Sequence, residues 1–129
     1  MSVRAESLAR LQQGATLADV QTTLGTDDRP VAEQDGQRQL IVLRLPEHGV
    51  RLFFTEEDVV RTVRFDSPFP GAVRGIRIGA TKEAVQRLLG EPDRPWPVAD
   101  GVDRWLYDRP EFIRVDFDPA TDTVRTIFR

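Results

Sequence analysis

Two apolar rhythms run along this chain, one of helical period and one of strand period, and each occurs twice. Leu17, Val20 and Leu24 fall on one side of a 3.6-residue helix, and Val85, Leu88 and Leu89 form a second such stripe. Thr16 stands as N-cap of the first with Asp19 completing a short capping box, and Gly25 occupies the place of a left-handed C′ residue. Thr81 caps the second, Glu83 lies in its first turn where the helix dipole favours an acid, Gly90 ends it, and Pro92 prevents continuation.

After each helix the period changes to two. Strands are predicted over 40–45, 50–54 and 59–65, and again over 104–109, 113–117 and 123–129. The first strand of each set runs into Pro-Glu, at Pro46-Glu47 and Pro110-Glu111, and the short connections make neighbours antiparallel. Alternation puts Val50, Leu52 and Phe54 on one face with Ile113, Val115 and Phe117, and puts Arg51, Phe53, Arg114 and Asp116 on the other.

The correspondence extends to residue identity. When the chain is laid on itself with a shift of 65, ten of the seventeen positions from Gly14 to Pro30 match those from Gly79 to Pro95. The expected architecture is therefore α+β: a duplicated unit of one helix and three antiparallel strands, giving about six strands in a sheet with the helices on one face. One domain, 1–129, would hold repeats at about 14–65 and 79–129. A first helix at about 4–13 would bury Leu8 and Leu11, and the prolines of 66–78 suggest an extended linker. Residues 94–103, with Pro95 and Pro97, read as a loop.

Composition narrows the function. The 129 residues are 40% hydrophobic and 30% charged, with a net charge of −3. That balance suits a globular protein and supplies no global positive field, so neither nucleic acid nor a membrane is an expected partner. There is no cysteine, which removes disulfides, thiolate catalysis and thiolate metal sites. The start has no apolar signal-peptide core, so a cytoplasmic location is expected, with a processed secreted form as the alternative.

Catalytic constellations are sparse. His48, the one histidine, sits in a Pro-Glu-His-Gly turn, with no cysteine or second histidine to join it on a metal. Ser2, Ser7 and Ser67 have no nucleophile motif around them. Asp116, Asp118 and Asp122 resemble a fragment of a calcium loop, but they lack its glycine and terminal glutamate and read better as a hairpin turn. Gly14, Gly25, Gly79 and Gly90 are spaced for helix ends rather than for a phosphate loop. No catalytic, cofactor-binding or metal-binding residue is assigned, and no cofactor.

The run Ile76-Arg-Ile-Gly-Ala-Thr-Lys-Glu-Ala-Val-Gln-Arg-Leu-Leu-Gly-Glu-Pro92, followed by Trp105 on the next strand, resembles the BLIP-like and SmpA/OmlA-like repeats. The first copy keeps Gly14, Thr16, Val20, Leu24 and Gly25, but has Asp27 in place of the proline and Ile41 in place of the tryptophan. The resemblance implies a sheet used to hold another protein. Without cysteine there is no lipobox, and no loop matches the inhibitors, so neither a lipid anchor nor a lactamase target is carried over.

The expected function is a non-enzymatic protein-binding module that uses the exposed sheet face and loops, with an inhibitor or immunity-type protein as its sharper form. The candidate contact residues are Arg51, Phe53, Trp96, Trp105, Tyr107 and Arg114, because aromatic and arginine side chains are the usual anchors of such surfaces. The face taken by Trp105 and Tyr107 is left open. The alternatives are a homodimer of structural role, and a small enzyme or metal-binding protein built on the acidic hairpins.

Overall fold

The computed structural model describes residues 4–99 and 102–129. Its main element is an eight-stranded antiparallel sheet with strand order β1-β2-β3-β4-β10-β9-β8-β7. One half comprises β1 (Val31–Asp35), β2 (Arg38–Leu45), β3 (Val50–Phe54) and β4 (Val60–Asp66). The other comprises β7 (Arg94–Ala99), β8 (Val102–Tyr107), β9 (Ile113–Asp118) and β10 (Thr123–Phe128). The halves meet where β4 pairs β10, with Phe65 opposite Ile127 and Arg64 opposite Phe128.

This corrects the expectation of about six strands with helices forming one face. The sheet dominates, and the helices are α1 (Ala5–Ala9), α2 (Leu17–Leu24) and α3 (Lys82–Leu89), of five, eight and eight residues. They are too short to form a layer of their own. They add Leu8, Leu17, Val20, Leu24 and Val85 to a core built chiefly from sheet residues such as Leu52, Phe65, Val115, Phe117 and Ile127. The extra strands are the two edges. In β1 the burial is slight throughout, so the apolar alternation that marks a half-buried strand is missing. In β7 the prolines point to a loop, but an edge strand tolerates proline because its outward N–H has no partner to lose. Asp100 and Gly101 of the expected 94–103 loop lie outside the described residues.

Helix ends follow their caps. Thr16 Oγ1 accepts from Asp19 N at 3.1 Å while Asp19 Oδ2 accepts from Thr16 N at 3.1 Å, and Gly25 is left-handed at φ 66°. Thr81 Oγ1 accepts from Ala84 N at 3.2 Å. Leu88 departs from its expected place in the α3 stripe and is 54% exposed. The first helix stops at Ala9, yet Leu8 and Leu11 are both buried.

The segment 66–78 is not an extended linker. Phe69, Val73 and Ile76 are buried in the core, and Ala72–Val73 (β5) pairs with Ile76–Arg77 (β6) in a tight hairpin turning at Arg74-Gly75. Burial of those three apolar side chains outweighs the stiffness of Pro68 and Pro70. The sharp entry into this segment depends on Gly49. It is left-handed at φ 69°, and a Cβ there would lie 2.1 Å from the Asp66 carbonyl oxygen.

Candidate functional site

Strand alternation and register together fix what each face of the sheet carries. On the core side Trp105 stands opposite Val115 and Tyr107 opposite Ile113. Trp105 meets Phe117 edge-on, with ring centroids 4.8 Å apart. Lys82 Nζ sits 5.8 Å from the centre of the Trp105 ring and 5.4 Å from that of Phe117, and pairs with Asp103 and Asp122. Its hydrogen bond to Asp103 raises the Lys82 pKa above the ordinary lysine value, with burial opposing. Tyr107 is 3% exposed, and its hydroxyl donates to the Gly90 carbonyl at 2.9 Å. Burial, helped by Glu91 and Asp93, pushes the phenol up to about 12. Both aromatics therefore serve the interior, and Tyr107 offers no surface to a partner.

Among the described residues no helix lies over the opposite face, since α1, α2 and α3 all pack into the core on the other side. Here one row of register partners crosses seven strands: Arg44, Arg51, Arg64, Phe128, Arg114, Leu106 and Arg94. At about 4.8 Å per strand the row is about 29 Å long. Phe128 is gripped from both sides, with the Arg114 guanidinium 4.1 Å and that of Arg64 5.5 Å from its ring centre. Phe53 lies on the same face, opposite Val42 and Thr62, and is half-buried.

Acids thread through this row and hold most of the arginines. Glu33 binds Arg44 through two hydrogen bonds of 2.9 and 2.7 Å, which hold the Glu33 carboxyl below its usual range. Asp66 accepts from Arg64 Nε at 2.9 Å, and Asp108 takes both Nε and Nη2 of Arg94. Asp116 serves two guanidiniums at once. Its Oδ1 accepts from Arg104 Nε and Arg114 Nε, each at 3.0 Å, and its Oδ2 accepts from Arg114 Nη2 at 2.9 Å. Sequence alternation assigned Asp116 to this face; the two arginines cover it so well that it is 4% exposed. Arg51 differs from its neighbours, because among the described residues it has neither an ion pair nor a side-chain hydrogen bond.

Two β-bulges complete the surface. The register shifts between Phe53 and Phe54 opposite Arg61, and between Val124 and Thr126 at Arg125, in corresponding positions of the two halves. Arg125 helps line a depression of about 470 Å³ with Arg64, Arg104, Arg114, Asp116 and Phe128. Arg61 helps line a second, of about 310 Å³, with Leu40, Phe53, Thr62, Arg114 and Phe128. Arg114 and Phe128 belong to both, so the two depressions form one trough.

Of the six residues picked from sequence, this face brings together Arg51, Phe53 and Arg114. Trp96 stands at its rim, opposite Arg104 on the edge strand and 50% exposed. Arg64, Arg104 and Phe128 were missed. A signal for Phe128 was present: the first half reads Arg64-Phe65 where the second reads Phe128-Arg129, so alternation turns the aromatic ring outward in the second half only. The three hairpin acids go separate ways, Asp116 to the arginines, Asp118 to the Ala120 amide and Asp122 to Lys82. Among the described residues no group of three or more His, Asp or Glu side chains converges as metal ligands would. No helix among them is long and apolar enough to cross a membrane.

No protein-family model matches the chain, and no curated protein matches it. A solved structure with a similar fold is that of a DUF4309 family protein (YjgB) from Bacillus subtilis subsp. subtilis str. 168. The likeness has a TM-score of 0.55 at 14% sequence identity and covers 98% of this chain and 91% of that one. At that identity it is a likeness of fold alone.

Proposed function

We propose that this chain is a non-enzymatic module that holds another protein on its open sheet face. The observation that carries the reading is the juxtaposition of Phe53, Phe128 and Arg51, the last without an ion pair, on a face that no element covers among the described residues. Arg51 lies between Arg44 and Arg64 in register, and like charges directly opposite destabilise a sheet unless something else relieves them. Aromatic and arginine side chains at the centre of a patch, ringed by polar groups, are also what anchors a protein interface. The resemblance of 76–92 to BLIP-like and SmpA/OmlA-like repeats supports the same class, and an inhibitor or immunity-type protein is its sharper form.

The test is affinity capture from the host with the wild type and with Arg51→Gln/Phe53→Ala, the variant first shown by urea unfolding to be folded under the capture conditions. A protein retained by the wild type and lost from the double variant supports the reading. An unchanged set of retained proteins overturns it. Sedimentation equilibrium separates off the remaining case: a dimer abolished by the double variant would mean that the face is covered by a second copy of the chain.

A further inference from the structure

The arginines of the open face are arranged in a way that specifies the chemistry of the partner, and this inference rests on the protein-binding reading above. Asp116 holds Arg104 through Nε alone and Arg114 through Nε and Nη2. Both Nη groups of Arg104 and Nη1 of Arg114 make no hydrogen bond among the described residues. The buried carboxylate thus fixes the planes of two guanidiniums and leaves their remaining donors free beside a depression of about 470 Å³. Arg64 is held by Nε to Asp66 and lies 5.5 Å from the centre of the Phe128 ring. Two arginines against one acid leave an uncompensated positive charge at Asp116, and Arg51, without an ion pair among the described residues but within the field of Glu33, adds a further guanidinium three strands away.

Pre-set planar forks with free donors match carboxylate, the group arginine binds in bidentate fashion. The interleaved acids Glu33, Asp66 and Asp116 disfavour a regular polyanion, and so does the net charge of −3 on the whole chain. The adjoining depression of about 310 Å³ is lined by Leu40, Phe53 and Phe128 together with Arg38, Arg61 and Asp35, and has room for an apolar side chain. We infer that the open face docks an acidic polypeptide segment, its carboxylates meeting Arg51 and the Arg104–Arg114 pair while an apolar side chain enters the depression between Phe53 and Phe128.

The test is fluorescence anisotropy with three short labelled probes. One peptide alternates Glu or Asp with Leu or Phe, its counterpart carries Gln or Asn at the acidic positions, and the third probe is single-stranded DNA. The acidic peptide should bind about tenfold more tightly than its neutral counterpart at low salt, an advantage that shrinks as salt rises. Arg51→Gln should remove most of that advantage. Arg87→Gln, an exposed change on α3, should leave it intact. Arg51 makes no ion pair and no side-chain hydrogen bond among the described residues, and circular dichroism with a urea midpoint equal to wild type shows that loss in this variant is not a folding defect. Equal affinity for the acidic and neutral peptides, with both weakened by Phe53→Ala, overturns the acidic partner and leaves the binding face standing. Tighter binding of the DNA overturns a polypeptide partner. Absence of binding by every probe overturns the acidic segment, while the protein-binding reading falls only if the affinity capture also returns an unchanged set of proteins.

Discussion

Asp116→Asn keeps the shape of the side chain and removes the charge that organises the open face. In the folded chain the Asp116 side chain is 6% exposed and accepts three hydrogen bonds from two guanidiniums. A hydrogen bond to a charged group contributes about 1.5–3 kcal/mol, and breaking a buried pair costs about 3–5 kcal/mol. Both figures must be reduced here, because the Arg104 and Arg114 side chains are 28% and 27% exposed and can turn to water. A net loss of about 2 kcal/mol follows. For a chain of this length, an unfolding entropy of about 2.1 cal/mol/K per residue converts that into a fall in Tm of about 7 °C. Differential scanning calorimetry and urea unfolding followed by circular dichroism measure it. A cycle with Arg104→Gln should return a coupling of about 1 kcal/mol. A Tm within about 1 °C of wild type, or a coupling near zero, would show that the carboxylate does not hold the arginines, and the preset forks would lose their basis.

Other consequences concern the frame that carries this face. Val20→Asp or Val85→Asp buries an unpaired charge at a position of 0% exposure and should cost about 4 kcal/mol or more, read as unfolding in urea; wild-type stability would refute the packing of α2 and α3. Gly49→Ala forces a Cβ to 2.1 Å from the Asp66 carbonyl at a left-handed position and should cost about 3 kcal/mol, whereas a neutral result would exclude the close turn. Tyr107 is the only tyrosine, so its phenolate absorbance titrates alone, with a midpoint of about 12 in the folded chain against about 10 when unfolded. Because the folded value is the higher one, this contribution to stability is complete below pH 10 and is lost as pH rises toward 12; a folded midpoint at the ordinary value would contradict the burial.

Much of the frame was legible because local chemistry and tertiary packing agree. Thr16, Asp19, Gly25 and Thr81 set helix ends where capping rules place them, and the alternation of Val50-Arg-Leu-Phe-Phe54 sorts correctly into inner and outer faces. Edge strands broke the reading, since β1 buries almost nothing and β7 contains two prolines; the strand count came out low and the weight given to the helices too high. The prolines of 66–78 masked the apolar positions Phe69, Val73 and Ile76 in the same way. Leu88 fits the period of α3 but packs against Gly75 and is left 54% exposed.

At the site, single-strand alternation found Arg51, Phe53 and Arg114 as outward-facing. It could not find what depends on pairing across strands. Only the register brings Arg64, Phe128 and Arg114 side by side, and only the meeting of β8 with β9 puts Arg104 over Asp116. The face of Trp105 and Tyr107 was undetermined for the same reason. Alternation ties the two together, and the strand they pair with decides that both turn inward.

The central claim is that the open sheet face is the surface by which this chain holds another protein. Chemical-shift mapping of the labelled protein on addition of a captured partner tests it most directly. The account predicts that perturbed signals gather on β3, β4, β9 and β10, with the side-chain resonances of Arg51, Phe53, Arg114 and Phe128 moving most. Perturbations confined to α2, α3 and their loops, with those four residues unmoved, would contradict it.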